Sequence, residues 1–150
     1  MPESNKIKRR GAGQRGSAIV ELSICLLGFL MLTLGAMDFA WAVYAYNFCS
    51  SAAQDAARAA SVHGSHSTTP WAISDVQTYV TNESVGLTKS NFTITPCWSG
   101  DCASTAPASG ENDPGDTVAV TVQYLIQPLT GLGIKQNFTV GATAQFVINN

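Results

Sequence analysis

The sequence predicts an α+β fold in which a long N-terminal transmembrane helix continues outside the membrane and packs on a small antiparallel β-sheet with one short extra helix. Three observations carry that expectation. A helical pattern runs without interruption over residues 17–62, apolar in its first half and alanine-rich in its second. A polar stretch of turn formers follows at 63–70, and two later runs alternate apolar and polar residues with period two. With 150 residues in all, the apolar stretch leaves material for only one small core.

The first element is a basic leader, residues 1–16. It holds Lys6, Lys8, Arg9, Arg10 and Arg15 against Glu3, a net charge of +4, whereas residues 17–150 sum to −6. The whole-chain value of −2 therefore conceals a basic arm on an acidic body. Beside an apolar segment such an arm sets topology by the positive-inside rule, with the N-terminus cytoplasmic, and no nucleic-acid role is expected.

Residues 22–43 read LSICLLGFLMLTLGAMDFAWAV. About 20 residues at 1.5 Å rise cross a hydrocarbon layer of roughly 30 Å, so the segment suits one crossing of the inner membrane, with the rest of the chain extracytoplasmic. A cleaved secretory signal would stop sooner, at a small-residue site. This run instead passes into Trp41, Tyr44 and Tyr46, aromatics suited to a membrane surface. A lipoprotein signal is excluded as well, because Cys25 lies near the start of the apolar run.

Past the aromatics, residues 47–62 contain neither Gly nor Pro and are dense in alanine. Gly64 and the HGSHSTTP run supply the stop. A helix over 17–62 is about 69 Å long, so roughly half of it projects beyond the bilayer as a spacer lifting a small domain off the membrane. A break near 47–51, where Asn and Ser are weak helix formers, is the alternative.

Two acids interrupt the apolar segment. Glu21 at its inner edge is costly unless paired or solvated; the alternatives are a functional acid and a side chain that reaches cytoplasmic water beside Arg15. With Cys25, Gly28 and Gly35 it falls within about 80° of arc, a narrow stripe that favours helix association over lipid contact. Asp38, about 25 Å along the axis from Leu22, sits close enough to the outer surface to reach water.

The stretch Arg15-Gly16-Ser17-Ala18-Ile19-Val20-Glu21 resembles the processing site of type IV prepilins and pseudopilins, a short basic leader ending in Gly and a mature helix whose fifth residue is Glu. More closely, residues 15–60 resemble the TadE-like family of the tight-adherence (Flp) pilus system. The elements are Arg15-Gly16, Val20-Glu21, Gly35-Ala36-Met37-Asp38-Phe39 and Ala56-Ala57-Arg58-Ala59-Ala60. One departure is Ser17, where many type IV pilins carry Phe at the first mature position.

That resemblance implies a pilin-like fold and a minor pilin or pseudopilin-like role in assembling a tight-adherence pilus or related secretion system. It implies cleavage between Gly16 and Ser17 by a prepilin peptidase. It also implies that Glu21 neutralises the new ammonium group of Ser17 on a neighbouring subunit; for Asp38, a side chain that reaches outer water is the reading, with pairing to a basic residue of another pilus subunit as the alternative. The implied partners are other pilus or pseudopilin subunits, inner-membrane assembly proteins, the peptidase and the lipid bilayer. An unprocessed, single-pass envelope binding module is the alternative.

The extracytoplasmic module, residues 63–150, begins with a short helix in PWAISDVQTYVTNESVG, for which Ser67, Thr68 and Thr69 are candidate caps and Pro70 lies near the first turn. Strands are expected at 91–95, 117–126 and 137–148, the last two antiparallel with one face on the helix. Cys97 and Cys102 predict a local disulfide in an oxidising compartment. Cys49 is left over, with intermolecular pairing open. His63 and His66 in a Ser/Gly loop read as solvent residues rather than a metal pair. Glu111, Asn112, Asp113 and Asp116 read as a turn, with calcium as the alternative. No nucleophile elbow, phosphate loop or paired carboxylates point to catalysis, and neither an enzyme nor a cofactor is expected.

Overall fold

The computed structural model describes residues 12–100, 102, 112–128 and 136–149, the side chains of 12–15 excepted. Most of the basic leader, Glu111 and Lys135 lie outside the described residues. The first element, α1 (Ala12–Ser61), is one unbroken helix. It starts ahead of the expected residue 17: Ala12, Gln14 and Arg15 are strong helix formers, and Gly13 and Gly16 cost about 1 kcal/mol each.

No break occurs near 47–51. Ser51 turns its hydroxyl back onto the carbonyls of Asn47 (3.2 Å) and Phe48 (3.1 Å), so the weak helix former is satisfied inside the helix. Packing does the rest: Ala45, Cys49, Ala52, Ala53, Ala56, Ala57 and Ala60 are all buried on one face. Their small side chains let the sheet approach the helix closely.

The second helix, α2 (Ile73–Glu83), starts later than expected, and its N-cap is Ala72 rather than any residue of 67–69. The cause is a contact distant in sequence. Trp71 stacks on His63, with ring centroids 4.4 Å apart, and its N–H donates to the His63 carbonyl at 3.0 Å, which ties down the approach to the helix. Ala72 has no side-chain acceptor, so only half of a capping box forms: the Asp75 carboxylate accepts from the Ala72 N–H at 2.8 Å. Val76 and Val80 are its buried residues.

Strands β1 (Phe92–Trp98), β2 (Thr117–Ile126) and β3 (Phe138–Val147) form an antiparallel sheet in the order β1-β2-β3. The bounds of β2 are those expected, because its alternation is clean. β1 runs three residues past the expected end, since an edge strand tolerates Pro96, which pairs with Val120 in register. One face carries the rows Trp98–Val118–Phe146, Pro96–Val120–Ala144, Ile94–Val122–Ala142 and Phe92–Tyr124–Val140, and it packs on α1. The opposite face is polar, with Thr121 and Thr143 hydroxyls 2.8 Å apart. Val118, Val120, Val122 and Ile126 are buried on the packed face, each worth roughly 1.5–3 kcal/mol relative to exposure.

This arrangement bears out the expected packing of the long helix on the sheet and corrects the spacer over 47–62. The outer part of α1 is the core helix of the head, packed on it from Ala45 onward with Trp41 and Ala42 partly buried against the same core. The head therefore begins where the apolar segment ends.

Candidate assembly surface on the long helix

Below the head, α1 exposes Ile19, Leu22, Ile24, Leu27, Phe29 and Leu32 among other large apolar side chains. The helix Gly16–Ser61 is long and apolar enough to cross a membrane, and among the described residues nothing buries its most apolar stretch. Leaving so much contiguous apolar surface in water is unfavourable, so the surface calls for lipid or another chain.

Glu21 and Cys25 are exposed on this surface. At Gly28 and Gly35 an added Cβ meets nothing within 4 Å, so neither glycine serves close packing among the described residues. At about 100° per residue, the Glu21 stripe lies roughly 70° around the helix from the face that holds the sheet. Asp38 is half-buried and sits two turns before Ala45, on the side that carries the head. It is about 100° around from Glu21, so the two acids share neither face nor level. The Gly16–Ser17 bond lies within α1, one turn from the helix start.

The head closes around this helix with structural devices. Cys97 and Cys102 form a disulfide with Cα atoms 4.3 Å apart. It clips the loop leaving β1, where Ser99 and Gly100 adopt positive φ and the Ser99 N–H donates to the Thr117 carbonyl at 2.8 Å. Cys49 is fully buried between helix and sheet, and burial pushes its thiol up to about 11. Intermolecular pairing through it would require the core to open.

His63 is half-buried, not a solvent residue. Besides stacking on Trp71, its Nδ1 lies 2.8 Å from the Ala59 carbonyl, which also accepts from the Val62 N–H at 3.3 Å at the end of α1. The 112–116 segment is a turn held by its own acids. The Asp113 carboxylate accepts from the Ser65 hydroxyl at 2.6 Å, and Asp116 accepts from the Asp113 N–H at 3.2 Å. Among the described residues no group of three or more His, Cys, Asp or Glu comes together to hold a metal ion.

Two further contacts tie the helices to the sheet. Arg58 stands over the Phe146 ring at 5.8 Å, joining the flank of α1 to β3. Gln77 of α2 donates to the Ile94 carbonyl at 3.2 Å, covering part of the β1 edge. Both partners lie far apart in sequence, and no local motif signals them. Near Gln77 a groove of about 320 Å³, lined by Thr81, Phe92, Thr93 and Ile94 as well, holds no titratable side chain. Tyr79 titrates above its ordinary range, mainly through burial, with further contributions from its hydrogen bond to Glu83 and from the charges of Glu83 and Asp55.

Residues 16–58 match the family model described as TadE-like protein, which covers the exposed apolar part of α1 and most of the face that the sheet buries. No curated protein and no solved structure matches the chain.

Proposed function

We propose that this chain, which carries a TadE-like segment over residues 16–58, is a membrane-anchored structural or assembly component of a tight-adherence pilus or related secretion system, of the minor pilin or pseudopilin type. The family match suggests involvement in pilus assembly. The observation that supports the finer reading is that the matched segment is one helix with two uses, an exposed apolar rod below and the core of the head above. In this reading residues 22–43 cross the inner membrane, the N-terminus is cytoplasmic and the head is extracytoplasmic.

Assembly then brings the rods of neighbouring subunits together. Cleavage after Gly16 by a prepilin peptidase leaves an ammonium group on Ser17, and Glu21 of a neighbour compensates it. Two unpaired charges in low dielectric are far costlier than a close pair, so the ion pair sets the register between subunits. Asp38, near the opposite end of the rod, is placed to meet a basic residue of another subunit.

The mass of the N-terminus in cells tests the first step: a chain beginning at Ser17 is expected, and Gly16→Lys should retain the leader. Glu21→Ala should be cleaved normally yet fail to co-purify with other pilus components. Unaltered co-assembly of Glu21→Ala would remove the role given to that acid.

One observation favours the second reading, an unprocessed anchored module. α1 already begins at Ala12, so the Gly16–Ser17 bond is helical and its first turn must unwind before a peptidase can reach it. A cellular chain that still begins at Met1 or Pro2 would select that reading.

A further inference from the structure

We infer that the rim of the head nearest the apolar segment, led by Val85, rests in the interfacial layer of the bilayer, so that the protein holds the membrane both by its span and by this loop. The inference depends on the anchoring proposed above.

The depth of the loop follows from one hydrogen bond. Tyr44 is the first residue beyond the apolar run, and its hydroxyl donates to the Val85 carbonyl at 2.7 Å. Side chains on an α-helix lean toward its N-terminus, here toward the span. The Val85 backbone therefore lies at or below the level of Tyr44, where interfacial aromatics sit. Trp41, with its ring centroid 5.7 Å from that of Tyr44, extends the same belt inward.

The chemistry of the loop fits that depth. Val85 is 74% exposed, more than any other large apolar side chain in the described residues, including those of the span. Gly86, at φ 75°, turns the chain just after it. Three polar groups at and beside the tip are paired: the Val85 carbonyl with Tyr44, the Ser84 hydroxyl donating to the Thr81 carbonyl at 2.8 Å, and the Thr88 N–H reaching the Tyr124 hydroxyl at 3.4 Å. Glu83, the nearest acid, closes α2 two residues before the tip and is exposed to solvent. Lys89, exposed just past the tip, supplies a cation at headgroup level on an otherwise acidic body. An apolar tip tied to the level of Tyr44 and a flanking lysine together describe a shallow contact with lipid rather than a surface for water.

The test uses the full chain with Cys25→Ser, leaving Cys49 buried and the disulfide intact. Single thiols are introduced by Val85→Cys, by Ser65→Cys at the far end of the head, and by Met31→Cys in the span. Each is labelled with a nitrobenzoxadiazole fluorophore in vesicles of phosphatidylcholine and phosphatidylglycerol. Quenching is then measured with headgroup nitroxide lipid and with aqueous iodide. Val85 is exposed, so its replacement leaves the core untouched. Residue 85 should be quenched by the nitroxide at least about twofold more than residue 65, and shielded from iodide to a similar degree. Equal behaviour at 85 and 65, with residue 31 shielded, would overturn the contact while sparing the anchor. A label at 31 open to iodide would overturn the anchor itself, and the contact with it.

Discussion

Replacing Ala56 by Leu distinguishes a helix that is the core of the head from a helix that stands beside it. Ala56 is 0% exposed, in the middle of the alanine face, with Ala52, Ala53 and Ala60 around it and the valines of β2 opposite. Three extra carbons have no space there. Forcing them into a packed core costs typically 1–3 kcal/mol, and for a domain of about 90 residues each kcal/mol lowers Tm by roughly 4–8 °C. A loss on the order of 4–24 °C is therefore expected. Gln54→Leu, on the exposed side of the same turn, should stay within about 0.5 kcal/mol of the parent. The assay is thermal unfolding of the full chain in detergent micelles, followed by near-ultraviolet circular dichroism, which reports the packing of Trp71 and Trp98. Indistinguishable melting of Ala56→Leu and Gln54→Leu would refute the packing of α1 on the sheet, and a free stalk would have to be reinstated.

Two further outcomes follow from the same core. The Cys49 thiol is raised from its ordinary 9.0 to about 11, so the folded state holds its proton longer than the unfolded state. Stability from this group is full below pH 9 and is lost as pH rises toward 11, by about 2–3 kcal/mol. Urea unfolding from pH 8 to 11 should show the parent losing that much relative to Cys49→Ala, and parallel pH curves would exclude the effect. At Gly141 a Cβ would sit 2.8 Å from both the Val122 carbonyl oxygen and Gln123 Cγ. The carbonyl belongs to the neighbouring strand and cannot swing aside, so Gly141→Ala should destabilise by about 1–3 kcal/mol and speed amide exchange along β2 and β3. Exchange rates equal to the parent's would show that the strands accommodate the methyl.

Elements with a strong local signal are legible in the order of the residues. The absence of Pro from α1 and the Val-rich alternation of β2 are properties of chain neighbours; β2 has the expected bounds, and α1 is continuous as expected though it starts five residues earlier. The disulfide is legible for the same reason, its two cysteines being five residues apart. What fails depends on distant partners. An alanine-rich helix reads alike whether it stands in water or against a sheet, and the valines that decide the matter come some sixty residues later. Trp71 and His63 displace the cap of α2 by stacking, which Ser67 and Thr69 do not reveal. Pro96 reads as a strand end because sequence does not say which strand lies at an edge. The candidate site is legible only in its residue types. The roles given to Gly16, Ser17, Glu21 and Asp38 involve groups on other molecules, so the isolated chain displays their positions without their contacts.

The continuity of α1 also couples two choices that a jointed protein could make separately. Between Glu21 and the alanine face there is no proline, no loop and no change of helix type. The angle between the surface offered inside the bilayer and the surface offered by the head is therefore a phase, set by the number of residues that separate them. Adding or removing one residue near Val43 would turn one surface relative to the other by about 100° while shifting it only about 1.5 Å along the axis. Whatever neighbour engages the rod also dictates the compass bearing of the head, and the helix behaves as a keyed shaft rather than a tether.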